Sequence, residues 1–146
     1  LHFYDGADGV KTGFTRKAGR TLVSSATRGQ QQLVAVTLND PDDWRDHMRL
    51  LDYGFSQYPA RLLLKEGQPV PVPAQWPATE RTLEVAKTLY YPLTQDEAGE
   101  IVATIVFSPH SRHRWAEGRS GEVIANVHVA FRGKPIAVLP VRISDR

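Results

Sequence analysis

The sequence predicts an α+β unit followed by an all-β sandwich, two domains in 146 residues. Three observations carry this prediction. Residues 9–38 read as three short strands separated by tight turns, a single strong helix signal follows at 40–59, and from residue 60 onward the pattern changes to short alternating runs. The predicted division is therefore 1–59 and 60–146, with the second part an antiparallel sandwich.

In chain order, the predicted strands of the first part are Gly9–Thr15, Arg20–Thr27 and Leu33–Leu38, with Ala18-Gly19 and Arg28-Gly29-Gln30 as turns. Connections this short make antiparallel neighbours. Asp40 then suits a helix N-cap and Pro41 the first helical position. Asp42 and Asp43 place negative charge at the positive end of the helix dipole. Trp44, Met48, Leu51, Phe55 and Tyr58 recur at intervals of four and three, which predicts one apolar face packed on the sheet, and Pro59 predicts the stop.

In the second part, Arg61–Lys65, a Glu66-Gly67 turn and Pro69–Pro73 predict a hairpin, and Thr82–Tyr91 and Glu100–Phe107 predict two further strands. Val123, Ala125, Val127, Val129 and Phe131 alternate with their neighbours at a period of two. Arg132-Gly133-Lys134 then turns the chain into Pro135–Ile143, a final hairpin.

Composition narrows the function classes. Apolar residues at 41% and charged residues at 23% are ordinary for a globular protein. No apolar run is long enough to cross a bilayer as a helix. Eighteen basic against 16 acidic residues give a net charge of +2, which argues against nucleic acid as a partner. The absence of cysteine excludes disulfides, thiolate catalysis and cysteine-ligated metals and leaves the redox compartment open. Leu1-His2-Phe3-Tyr4 has neither an initiator methionine nor a leader pattern, so the chain reads as a piece that begins inside a larger protein.

The most informative stretch is Asp8–Thr15, which holds Lys11-Thr12-Gly13 on the first predicted strand. A strand can lie beside an extended ligand and offer sheet-like hydrogen bonds along its edge. Lys11 would supply positive charge to a substrate carboxylate and help relay a proton, Thr12 would hydrogen-bond the same carboxylate, and Gly13 would let the ligand backbone approach closely. The bland alternative is an exposed hairpin that happens to hold these three residues. A phosphate-binding loop fails on order, since Val10 stands where Gly must precede the Lys-Thr pair and a strand follows where a helix should begin.

The run Gly6–Thr15, followed by Ala18-Gly19 and Leu22–Gly29, resembles the low-molecular-mass penicillin-binding proteins, which are serine-type D-alanyl-D-alanine carboxypeptidases. Asp40–Trp44 and Leu50–Phe55 are similar to the helix that follows these strands in that family, and the all-β remainder is similar to its C-terminal β-sandwich domain. The resemblance implies a parent enzyme that removes the terminal D-alanine from peptidoglycan stem pentapeptides through an acyl-enzyme and that β-lactams inhibit. It uses no cofactor and no metal, and it works outside the cytoplasm at the bacterial membrane. Lys11 is the implied catalytic residue here. Lys11, Thr12, Gly13 and the backbone N–H of Phe14, as an oxyanion donor, form the implied substrate-binding set. Of the family's three motifs, Ser-x-x-Lys and Ser-x-Asn are absent from this sequence, since no serine has Lys three residues later or Asn two residues later. This chain alone is thus expected to be inactive. The membrane-anchoring helix usual at the family's C-terminus is not found before Ile143-Ser144-Asp145-Arg146, so membrane attachment is implied for the parent only.

Two rival readings remain at this stage. A class A β-lactamase shares the Lys-Thr-Gly strand, but its chain ends near the following helix, and residues 60–146 argue against it. A non-catalytic cell-wall-binding sandwich is the other. Elsewhere, His110 and His113 predict an exposed basic loop able to touch anionic polymer or lipid, better than a metal pair, because Arg112 and Arg114 oppose a cation. His128 reads as a surface residue, and Trp76 and Trp115 as packing residues more than a sugar platform. Helix capping accounts for Asp42 and Asp43. Arg45 is left between a substrate contact and a solvated helix face.

Overall fold

The computed structural model describes residues 4–145, apart from the side chain of Val10. The readings at Leu1-His2-Phe3 and at Arg146 lie outside the described residues. The chain divides into two compact units. One holds residues 1–61 and 91–95, the other 62–90 and 96–146.

The first unit contains strands β1 (Ala7–Thr15), β2 (Gly19–Arg28) and β3 (Gln31–Leu38), then helix α1 (Asp43–Gln57). The strands form an antiparallel sheet in the order β1-β2-β3, so β1 is an edge strand among the described residues. Gly19 and Gly29 adopt φ of 68° and 57°, the left-handed backbone that these tight turns require. Alternation sends Leu22, Ser24 and Ala26 of β2 to one face, where they are buried, and leaves Val23 on the other. Leu51 and Phe55 pack α1 against Ala26, Leu33 and Ala35. Gly54 permits the close approach, since a Cβ there would lie 2.6 Å from Leu33 Cδ1.

The helix departs from its predicted start and face. Asp40 is not the N-cap, because its side chain closes a turn by accepting the Asp42 N–H at 3.0 Å. The helix begins at Asp43, with Asp42 as N-cap. The buried stripe is Asp43, His47 and Leu51, spaced by four, while Trp44, Met48 and Tyr58 are at least a third exposed. Two polar residues occupy the inner face because the sheet supplies their partners. At the exit of α1, the Gln31 side chain donates to Tyr58 O at 2.7 Å and accepts the Ala60 N–H at 3.1 Å.

His47 is fully buried between two hydroxyls, with Nδ1 2.6 Å from Ser24 Oγ and Nε2 3.0 Å from Thr37 Oγ1. Burial pushes its imidazole below the usual histidine range, against the opposing pull of Asp43, Asp40 and Asp46. The unfolded chain binds this proton near pH ~6.5 and the folded chain only at lower pH. Stability is therefore complete above that pH and declines as the pH falls through the folded value. Urea midpoints are expected to drop between pH 7.5 and pH 5.5, and His47→Gln should flatten that dependence while costing about 1–3 kcal/mol at pH 7.5. An unaltered slope in the variant would refute the assignment. The carboxylates of Asp8 and Asp43, held low by hydrogen bonds from their neighbours, enter only at more acid pH.

The second unit is built on an antiparallel sheet in the order β5-β6-β10-β9-β8, from Pro69–Val70, Thr82–Val85, Lys134–Ser144, Val123–Phe131 and Ile101–Phe107. Strands β4 (Ala60–Leu64) and β7 (Leu89–Pro92) pair as a separate two-stranded ribbon. The final hairpin turns at Arg132 and Gly133, with φ of 49° and 73°, a mirror-image turn that matches strand twist. Arg132 is fastened there by two hydrogen bonds of 2.8 Å to Glu100. Pro140 is tolerated inside β10 because pairing with β6 begins only at Val141.

Three expectations are corrected here. The segment 61–73 forms no hairpin, since β4 pairs with β7 and β5 with β6. Thr82–Tyr91 is two strands in two sheets, separated where the Ala86 N–H turns to Pro140 O at 2.8 Å. The unit is not all-β, because the Ser108–Arg114 stretch runs into helix α2 (Ser111–Glu117) and Asp96–Glu100 is a 3-10 turn. Trp115 of α2 is buried in the sheet's core with Leu83, Ile124, Val141 and Ile143, and Leu63, Leu64 and Leu89 pack against the same core. His128 is exposed, as its register predicts.

Candidate active site

The Lys11-Thr12-Gly13 triplet lies mid-strand on β1, exposed along the sheet edge. In the antiparallel register Lys11 stands opposite Val23, Thr12 opposite Leu22, Gly13 opposite Thr21 and Phe14 opposite Arg20. Because Ser24 and Leu22 face α1, Thr12 and Phe14 belong to the α1 side and Lys11 and Gly13 to the other. Lys11 Nζ nevertheless folds back to the strand edge and donates to Thr12 O at 2.7 Å. A Cβ on Gly13 would meet Thr21 Oγ1 at 2.5 Å, so any larger residue there would displace the hydroxyl of the neighbouring strand.

Thr12, Gly13 and Phe14 line an open depression of about 450 Å³ together with Arg20, Thr21 and Asp43. Phe14 is 71% exposed at its rim. The Asp43 carboxylate is buried and takes a forked pair of hydrogen bonds from Arg20, Nη2 to Oδ1 at 2.8 Å and Nε to Oδ2 at 3.1 Å. These bonds hold the Asp43 carboxyl below the usual carboxylate range despite its burial. Farther along β1, Asp8 accepts from Ser25 and Thr27 at 2.5 Å each and from Gln32 at 3.0 Å, pinning the strand's start to β2 and β3.

Sequence reasoning placed Lys11, Thr12, Gly13 and Phe14 on one strand but missed Arg20 and His47 and gave Asp43 only a capping role. The spacing of Asp43, His47 and Leu51 by four was the available signal for a polar inner face. Arg45 does not reach the depression's lining and pairs instead with Asp42, one turn away, at 3.2 Å on the surface.

Residues 2–42 match the family model described as D-alanyl-D-alanine carboxypeptidase. The D-alanyl-D-alanine carboxypeptidase DacF of Bacillus subtilis is 38% identical over 73 residues, covering 48% of this chain and 19% of that protein. DacA of Escherichia coli, a protein of the same description, is 27% identical over 139 residues, covering 92% of this chain and 34% of its own length. The chain is thus similar to D-alanyl-D-alanine carboxypeptidases, over residues 2–42 by the family model and over 92% of its length by the Escherichia coli relative. It spans about a third of the length of the Escherichia coli protein. The crystal structure of the D-alanyl-D-alanine carboxypeptidase DacD from Francisella tularensis superposes with a TM-score of 0.60 at 26% identity, over 99% of this chain and 37% of that one. The family match at residues 2–42 includes the whole Lys-Thr-Gly strand, and the Escherichia coli and Francisella matches continue through the second unit.

Proposed function

We propose that this chain is the closing part of a serine-type D-alanyl-D-alanine carboxypeptidase: residues 1–59 complete the catalytic domain and residues 60–146 form the β-sandwich domain that follows it. The observation that carries this reading is the exposed Lys-Thr-Gly edge strand, with a depression along Thr12, Gly13 and Phe14 in which an extended peptide end can lie. The substrate is a peptidoglycan stem peptide and β-lactams are its mimics. Lys11 supplies charge to the substrate carboxylate and takes part in proton relay, Thr12 hydrogen-bonds that carboxylate, and Gly13 leaves room for the ligand backbone. The backbone N–H of Phe14 is one of two oxyanion donors. The second belongs to the nucleophile, which comes from the longer protein that carries this chain, as does the Ser-x-Asn wall. That protein works at the outer face of the bacterial membrane.

An oxyanion donor without a nucleophile stabilises a transition state that never forms. Fluorescent penicillin is therefore expected to label the full-length protein covalently and to leave the isolated 146-residue chain unlabelled. Labelling of the isolated chain, or none of the folded full-length protein, would sink the reading. A class A β-lactamase is disfavoured by residues 60–146, because the matches to DacA and DacD cover 92% and 99% of this chain and so extend well beyond the first unit.

A further inference from the structure

We infer that Arg20, held in place by Asp43, is a second anchor for the substrate's terminal carboxylate and makes the site select peptides that end in a free acid. This inference rests on the carboxypeptidase reading above. Three observations support it. Arg20 lines the same depression as Thr12, Gly13 and Phe14. It stands opposite Phe14 in the register, so Thr12 is its diagonal neighbour on the α1 side of the sheet, about 7–8 Å away and within the reach of a long side chain. Its side chain is half exposed while that of its partner is buried, at 48% and 3%, and the fork turns one edge, Nε and Nη2, to the protein.

The donor count fits. A guanidinium has five N–H groups, and Asp43 takes one from Nε and one from Nη2. Both Nη1 hydrogens and the second Nη2 hydrogen remain for another acceptor. A carboxylate that also bonds Thr12 Oγ1 sits where these can meet it. The buried Asp43 fixes the arginine before the ligand arrives, which removes most of the ordering entropy that a free arginine would lose on binding. Asp43 also offsets the charge of Arg20, so the pair contributes directional hydrogen bonds, while the net positive charge of the edge comes from Lys11. Arg20 and Lys11 thus divide two tasks, geometry and field. Arg45, the arginine that the sequence offered for this purpose, is engaged with Asp42 on the surface.

The test uses the full-length protein and two forms of one peptide, ending in D-Ala-D-Ala as the free acid or as the amide. Arg20→Gln is expected to raise KM for the acid about 10- to 100-fold with kcat within threefold, the loss of a charge-assisted hydrogen bond. The acid-over-amide ratio of kcat/KM should fall at least tenfold. Asp43→Asn, which weakens the grip on Arg20, should shift the ratio in the same direction by a smaller factor, with thermal melts confirming a folded enzyme. Equal losses on acid and amide, or a fall in kcat at constant KM, would overturn the assignment and leave Arg20 a structural residue. A folded wild-type enzyme that releases no D-alanine from the acid would instead overturn the carboxypeptidase reading and this inference with it.

Discussion

Trp115→Ala is expected to destabilise the unit formed by residues 62–90 and 96–146 by about 3–5 kcal/mol, the largest loss expected from any single truncation in that unit. Trp115 is 2% exposed and lies in the core with Leu83, Ile124 and Ile143. Its Nε1–H donates to Pro77 O at 2.9 Å, and its ring lies 6.1 Å from Trp76, which in turn meets Phe107 edge-on at 4.9 Å. Truncation removes transfer free energy, opens a cavity too well framed to collapse, and leaves the Pro77 carbonyl unpaired. Trp115→Phe keeps most of the apolar area and loses chiefly the hydrogen bond, so about 1–2 kcal/mol is expected. Urea denaturation followed by far-ultraviolet circular dichroism reads both. A loss below about 1 kcal/mol for the alanine variant would mean that this ring is a surface platform, the role that the sequence left open for it.

The strands of the first unit were legible to within about two residues because their turns are local: Gly19 and Gly29 admit the left-handed backbone that these tight turns need. What failed was decided by partners distant in sequence. The helix stripe was read from apolar residues, yet its inner face carries Asp43 and His47, which became tolerable only because Arg20 and Ser24, each 23 residues earlier, meet them. In the second unit the Glu66-Gly67 turn exists, with Gln68 N–H bonded to Lys65 O, but a turn does not choose the next pairing. The Gly67 N–H goes to Val85 O and the Glu66 N–H to Thr88 Oγ1, which draws the chain toward β6 instead of back along β4. Helix α2 has seven residues, too few for a periodic signal, and is fixed by tertiary contacts. The Ser111 hydroxyl lies 2.5 Å from both Ser108 O and Ile124 O, and Arg81 donates to Gly118 O at 2.7 Å at its far end.

The candidate site divides along the same line. Lys11, Thr12, Gly13 and Phe14 are contiguous and could be read as one strand edge. Arg20 joins them only through the β1–β2 register, and its orientation depends on a buried carboxylate at the start of α1. A motif therefore finds the wall that one strand makes, and misses the part of it that a neighbouring strand and a helix supply.

Lys11→Ala in the full-length protein is expected to slow acylation by penicillin, and release of D-alanine, by about 100- to 1000-fold while leaving stability within about 0.5 kcal/mol of wild type. The two halves of this expectation have one cause. Lys11 is exposed, and among the described residues its ammonium bonds the adjacent Thr12 carbonyl at 2.7 Å, so the fold loses almost nothing when it is removed. On the proposed reading its value lies beside the edge where a substrate carboxylate and a developing charge would sit, and a group that acts mainly in the transition state leaves little trace in the melting curve. Lys11→Arg should restore only part of the rate, because a planar fork cannot occupy the place of a compact ammonium or give up its proton at neutral pH. Stopped-flow acylation with a reporter β-lactam, paired with thermal melts of the same preparations, measures both quantities. A rate within tenfold of wild type for the alanine variant would remove Lys11 from the catalytic set, and a rate lost together with the melting transition would show that its role is structural.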